Sequence, residues 1–256
     1  MSILDQRAPE RRVENARPGT LFGIAFAAFL AYWIVTPAAY QTVTGRRLVP
    51  ASQPATQTVV EIPPHDLVAL SIAAPVVGLI TLIVGNLLCF RKPFEEAGLT
   101  LRHLHVRGWW QGILASVIVL PVMFGVVWLT QKFWDAIHYS HPNEHDLLRV
   151  LGAEPNASFR VAIIVSAIVL APLFEEFFFR GMIQRASRMV MNRWLAILIA
   201  SFAFTLVHGA LWLAPPIFLL SLCLGYAYDR TRNLWVSILI HASFNAASVA
   251  MFLFLR

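Results

Sequence analysis

Long apolar runs alternate with short polar or basic segments along the whole chain. The first run, residues 21–40 (LFGIAFAAFLAYWIVTPAAY), has the roughly 20 residues that a helix needs to cross lipid. Further runs predict spans at about 67–90, which carries Pro75, and at about 109–130. Four more follow at roughly 161–187, 194–213, 215–228 and 234–255. The pattern therefore predicts an all-α, polytopic transmembrane helical bundle of about seven spans, with no soluble domain and no internal repeat. A basic tail, 1–20, precedes the bundle and ends at Pro18-Gly19. A Pro/Thr/Gln-rich loop occupies 41–66, a charged loop 91–107, and a polar loop 131–159 that holds the amphipathic stretch LLRVL. The organisation read from this pattern is a tail (1–20), a region of helices and loops (21–159) and a C-terminal core (160–256).

Composition agrees with lipid as the solvent. Of 256 residues, 58% are hydrophobic and 13% charged, whereas a soluble domain is about 45–50% apolar and about 25% charged. Mean hydropathy is +0.65. The apolar core of the first span exceeds the about 7–15 residues of a signal peptide, so a retained anchor is expected. Cys89 and Cys223 both lie in apolar runs, which argues for packing residues rather than a disulfide or metal framework.

A net charge of +6 does not point to nucleic acid, because the basic residues sit between apolar runs and form no groove with aromatics. They do fix a sidedness. With a cytoplasmic N-terminus, the inner segments hold Arg7, Arg11, Arg12 and Arg17; Arg91, Lys92, Arg102 and Arg107; Arg180, Arg185, Arg188 and Arg193; and Arg230 and Arg232. These are fourteen of the twenty Lys and Arg residues, the asymmetry expected of cytoplasmic loops. Arg46, Arg47, Lys132, Arg149, Arg160 and Arg256 remain outside. The expected location is the plasma (inner) membrane. Trp109, Trp110, Trp194 and Trp235 near span ends fit an interfacial aromatic belt.

Candidate chemistry begins in the fourth span. Only fourteen residues separate Arg160 from Glu175, about 21 Å of helix, which falls short of a hydrocarbon core of about 30 Å. The helix must continue through FEEFFFRGMIQ, placing Glu175, Glu176 and Arg180 within the membrane. Each such charge costs several kcal/mol unless paired or solvated. Glu176 and Arg180 are four apart and share a face, so they can pair. Glu175 is turned about 100° away and is free to face a cavity as a general base. Pro172 would loosen local hydrogen bonding and help to open that cavity. A buried ion cluster that merely fixes helix packing is the alternative.

His208 interrupts the fifth apolar run, and His241 and Asn245, four apart, interrupt the last. Counted from the arginine-bounded inner ends, Glu175 lies roughly 20 Å deep, His208 roughly 21 Å and His241 roughly 12 Å. Convergence requires His241 to reach deeper than its count suggests.

Glu175-Glu176-x-x-x-Arg180, Phe204-x-x-x-His208 and His241-x-x-x-Asn245 occur in this order in separate spans. Over roughly 160–250 the chain thereby resembles the CAAX-prenyl-protease-like and bacteriocin-processing intramembrane proteases, the Abi or type II CAAX protease family. The resemblance implies peptide-bond hydrolysis within the membrane, on a protein or peptide entering from the membrane or its cytoplasmic face. It implies Glu175 as general base with His208 as its partner. It further implies that His241 and Asn245 polarise the scissile carbonyl or hold the oxyanion, with Glu176, Arg180 and Phe204 in support. Two chemistries stay open: Zn²⁺ held by Glu175, His208 and His241 with one open position, or a metal-free water driven by the glutamate. The rival readings are an inactive immunity or scaffold protein of the same fold, and a transporter. No chain of ionisable residues in the first three spans supports transport.

Weaker candidates complete the inventory. Glu95-Glu96 repeats the Phe-Glu-Glu triplet without an Arg four residues on, and reads as a solvated face. His138, His141, Glu144, His145 and Asp146 could bind metal but read as a polar connector. His65, His103 and His105 read as interfacial loop residues.

Overall fold

Among the described residues, five apolar helices pack against a sixth, and a seventh lies outside them. The computed structural model describes residues 17–45, 64–101, 104, 108–142 and 145–254, and these are mostly helical, without a strand. The helices are α1 (Pro18–Thr44), α2 (Pro64–Cys89), α3 (Trp109–Ala136), α4 (Ala157–Arg188), α5 (Arg193–Val207), α6 (Ala214–Thr231) and α7 (Leu234–Phe254). Short helices at Pro93–Ala97, Asp146–Ala153 and Leu211–Leu213 lie in the connections. The distal tail with Arg7, Arg11 and Arg12, most of the 41–66 loop with Arg46 and Arg47, and Arg102, Arg107 and Arg256 lie outside the described residues.

Among the described residues, six helices are long and apolar enough to cross a membrane. The expected span 194–213 is the exception. Its helix stops at Val207 after 15 residues, about 22 Å. The stop is local in origin: Gly209 takes a left-handed φ of 64°, a conformation that glycine adopts at no steric cost. Pro215 and Pro216 then open α6, where their missing N–H groups need no partner.

α4 is the centre. It packs against α1, α2, α5, α6 and α7, while α3 lies outside against α6 and α7. Phe174, Phe177, Phe178, Phe179 and Met182 of α4 are buried with Leu21, Ile24 and Ala28 of α1, Leu82 of α2 and Leu234 and Ile238 of α7. Lipid is as apolar as these side chains, so close packing and polar contacts rather than water exclusion hold helices together. Gly78 shows how close the packing is: a Cβ there would lie 2.4 Å from a ring carbon of Phe174.

Two departures from α geometry shape α4. The turns Ser166–Leu170 and Phe177–Gln184 are π-helical. The first precedes Pro172, which cannot donate a backbone hydrogen bond. Such π turns frequently occur at functional sites. In α1 the same device, Ala31–Val35, precedes Pro37, and Thr36 donates its hydroxyl back to Ala31 O at 2.6 Å.

A polar ladder joins α4 to α6. Arg180 Nη2 donates to Ser221 Oγ at 2.8 Å and Ser221 O at 3.0 Å, and Gln184 Nε2 donates to Gly225 O at 2.9 Å. Arg188 Nε donates to Asp229 Oδ1 at 2.9 Å. Both sides advance four residues per rung, so the two helices run parallel. α5 is therefore the return stroke between them. At the same end, Leu234 N donates to Gly98 O at 3.1 Å and Trp235 Nε1 to Thr100 O at 3.1 Å. The α2–α3 connection thus covers the start of α7, where Asn233 and Leu234 are buried.

The parallel ladder fixes relative sidedness. Reporter fusions after residues 100 and 190 are expected to report one face of the membrane and a fusion after residue 140 the other. Opposite faces for 100 and 190 would break this arrangement.

Candidate active site

The site is built on two adjacent carboxylates that α4 sends in different directions. Glu176 is fully buried, and its Oε1 accepts from Arg180 Nη1 at 3.1 Å and from His241 Nδ1 at 2.9 Å. Arg180, also buried, places Nη2 on Ser221. Its guanidinium lies 4.8 Å from the Phe204 ring centroid, where the ring's negative face attracts the cation. Phe204 forms a common wall, with ring centroids 4.5 Å from His208, 5.8 Å from His241 and 5.0 Å from Phe179.

Glu175 faces the other way. Its Oε2 is 3.9 Å from His208 Nε2 and 3.8 Å from His241 Nε2. Its side chain keeps 16% exposure and that of His208 23%, against 0% for Glu176. The depth mismatch of His241 is thereby resolved: α7 begins beneath the α2–α3 connection, so its eighth residue already lies level with Glu175.

Hydrogen-bond partners fix both imidazole tautomers. His208 Nδ1 is 2.7 Å from the carbonyl of Phe204, which can only accept. Nδ1 therefore carries the proton and Nε2 presents a lone pair. His241 Nδ1 donates likewise to the Glu176 carboxylate, leaving its Nε2 as a second lone pair. Two acceptor nitrogens thus face a third acceptor, Glu175 Oε2, which is itself buried without a hydrogen-bond partner. Three converging acceptors call for a shared donor.

Two donors have characteristic spacings. Adjacent ligands on tetrahedral zinc at about 2.05 Å would lie about 3.4 Å apart. Partners of a water at about 2.8 Å spread up to about 4.6 Å. Separations of 3.8 and 3.9 Å lie between these two values, so the spacing accommodates either donor with a small adjustment. Among the described residues, no three His, Cys, Asp or Glu side chains form a group that could hold a metal ion.

Asn245 sits one turn beyond His241 and gives its Nδ2 to Ala167 O at 2.8 Å. That carbonyl belongs to the π turn Ser166–Leu170, so the amide braces the irregular backbone before Glu175. The other candidates stand apart. Glu95 pairs with Lys92 at 3.0 Å on an exposed face. His141 stacks on Trp212 with 5.5 Å between centroids, and His145 Nδ1 caps the helix Asp146–Ala153. His138 is exposed at a left-handed turn, and His65 lies 3.1 Å from Asp66 Oδ1. His103, His105, Glu144 and the side chains of Glu96 and Asp146 lie outside the described residues.

Reading the sequence missed Ser221, Gln184 and Asp229 as parts of this support. A signal existed for one side: Glu176, Arg180, Gln184 and Arg188 repeat every four residues. Nothing local marks Ser221, whose role comes from the α4–α6 contact.

Comparison with known proteins agrees with the motif reading. Residues 157–247 match the family described as type II CAAX prenyl endopeptidase Rce1-like. UPF0177 protein YaiH of Lactococcus lactis subsp. lactis (strain IL1403) is 26% identical over 186 residues, which span 69% of this chain and 70% of that protein. UPF0177 protein YxdF of the same strain is 35% identical over 78 residues, 30% of this chain and 42% of that one. The protein named "Putative membrane peptidase YdiL" of Bacillus subtilis (strain 168) is 34% identical over 109 residues, 43% of this chain and 42% of that one. No solved structure matches. The family match and this relative support a membrane peptidase.

Breaking a buried ion pair by removing one partner costs about 3–5 kcal/mol. Arg180→Met and Glu176→Gln are each expected to lower the melting temperature in detergent. The double variant should lose less than the two single losses combined. Additive losses would mean that the two side chains are not coupled.

Proposed function

We propose that this chain, whose residues 157–247 match the Rce1-like endopeptidase family, is an intramembrane endopeptidase hydrolysing a peptide bond of a membrane-associated protein or peptide. The observation that carries the proposal is Glu175 Oε2: a buried, unpartnered carboxylate oxygen facing two histidine lone pairs. A water between them would donate one hydrogen to Glu175 and the other to a histidine Nε2. Its oxygen lone pair would then be free for the scissile carbonyl.

In this mechanism Glu175 takes the proton as the water oxygen bonds to the carbonyl carbon, and the carbonyl electron pair moves to oxygen. Collapse of the intermediate breaks the C–N bond, and protonated Glu175 returns its proton to the leaving nitrogen. His208 holds the water through Nε2. His241, held by Glu176, which Arg180 neutralises, lines the other side of the water. Asn245, which keeps a second amide hydrogen beyond the one given to Ala167 O, polarises the scissile carbonyl. That no three His, Cys, Asp or Glu side chains among the described residues form a metal-holding group supports a metal-free, glutamate-driven water. The substrate enters from the membrane or its cytoplasmic face, and the protein sits in the plasma (inner) membrane with its N-terminus cytoplasmic.

Cleavage profiling of membranes carrying the wild type, Glu175→Gln or His208→Ala tests this reading. A positioned acid–base group contributes about 100-fold or more, so both variants are expected to lose at least that much of the cleavage rate. Full cleavage by both would overturn the mechanism. Activity of the wild-type protein is expected to survive exhaustive chelation, with elemental analysis showing less than stoichiometric metal. Loss on chelation with recovery on adding Zn²⁺ would establish the zinc version instead.

A further inference from the structure

Three guanidiniums crowd one carboxylate where the ends of α4 and α6 meet the start of α5. Asp229, with 5% of its side chain exposed, lies 2.9 Å from Arg188 Nε, 3.5 Å from Arg193 Nε and 3.7 Å from Arg232 Nη2. No other carboxylate among the described residues comes within ion-pair distance of these arginines, so two positive charges remain in excess. Arg193 also lies against aromatic rings: its guanidinium is 4.7 Å from the Trp194 centroid and 5.8 Å from that of Tyr226. Those two rings stack with centroids 6.0 Å apart, and both are exposed. Trp and Tyr favour the depth of lipid headgroups.

An apolar groove continues from this aromatic shelf. Trp194, Leu198, Phe202 and Leu206 advance four residues at a time along one exposed face of α5. Trp194 is level with Tyr226, and α5 and α6 run in opposite directions. Eight residues along each helix therefore bring Phe202 level with Phe218. Here lies a groove of about 430 Å³ lined by Leu198, Ile199, Phe202, Ala203, Leu206 and Phe218, all apolar. From Leu198 to Leu206 it runs about 12 Å, against about 15 Å for half of a hydrocarbon core.

We propose that this surface binds one anionic phospholipid, with its phosphate on Arg193 and Arg232 and an acyl chain in the groove between α5 and α6. The excess positive charge selects the headgroup, and the groove selects a ligand that continues into hydrocarbon. Arginines that served only to set sidedness would need their charge, but neither the aromatic shelf nor the groove. The bound chain extends to Leu206, two residues before His208, so lipid supports the helix that carries one of the candidate histidines. The inference goes beyond the hydrolytic reading and does not depend on it.

Binding to the full-length protein in detergent tests the headgroup and the chain separately. Dioleoyl phosphatidylglycerol and dioleoyl phosphatidylcholine share their chains and differ in net charge. Each basic residue near an anionic headgroup is worth about fivefold, so two are expected to give the anionic lipid a preference of about 25-fold at low salt. That preference should shrink as salt screens it. A preference below about fivefold, or one unmoved by salt, overturns the headgroup site. Inorganic phosphate at matched ionic strength is expected to leave lipid binding intact; displacement by it would make this a site for free phosphate and overturn the lipid. Arg193→Gln/Arg232→Gln leaves Arg188 on Asp229 and is expected to abolish the preference, whereas a retained preference overturns the proposal. Ala203→Phe fills the groove without touching the charges and is expected to weaken both lipids alike. Undiminished binding by that variant overturns the place assigned to the chain.

Discussion

A carboxylate with no exposure in the middle of a lipid-embedded bundle is tolerable only because two donors share one of its oxygens. Glu176 Oε1 holds Arg180 at 3.1 Å and His241 at 2.9 Å. Through these contacts three helices meet: α4 supplies both members of the ion pair, α6 receives the rest of the guanidinium at Ser221, and α7 is set in depth by its imidazole. Low dielectric strengthens such a network and makes each unmade bond costly. The same property gives the network little freedom to rearrange. The orientation of His241 is one consequence, and with it the lone pair offered to Glu175.

The neighbouring carboxylate shows what one step along a helix can do. Glu175 and Glu176 differ in position by about 100° around the axis, and this is enough to seal one and open the other. A π turn lies before the pair and another after it, with Pro172 close at hand. These irregular turns release backbone carbonyls that side chains then use, as Asn245 uses Ala167 O. Rigidity at Glu176 and irregularity around Glu175 are therefore complementary parts of one site.

Much of this was legible in the chain, and the limits have physical reasons. Hydropathy located the apolar helices because lipid imposes a minimum length, and the four-residue spacing revealed the Glu176–Arg180 pair because helical geometry is local. The early end of α5 was harder to read. Apolar composition continues through Leu211-Trp212-Leu213, and the break depends on one left-handed glycine. The depth of His241 depended on the α2–α3 connection covering Asn233, which no count within α7 could reveal. Ser221, Gly225 and Asp229 gain their meaning only from lying forty-one residues beyond their partners on α4. Tyr32 is the extreme case, since its stack on Phe174 is a contact between α1 and α4.

The shortness of α5 has a further consequence for the surrounding bilayer. Its length of about 22 Å is about 8 Å less than a typical hydrocarbon core. Lipid beside it must thin, or the headgroups and their water must dip towards the helix end, at a cost of fractions of a kcal/mol per ångström. His208 stands at that end. On the proposed function, a dip in the bilayer there would bring water towards the site, which makes acyl-chain length a physical determinant of its access.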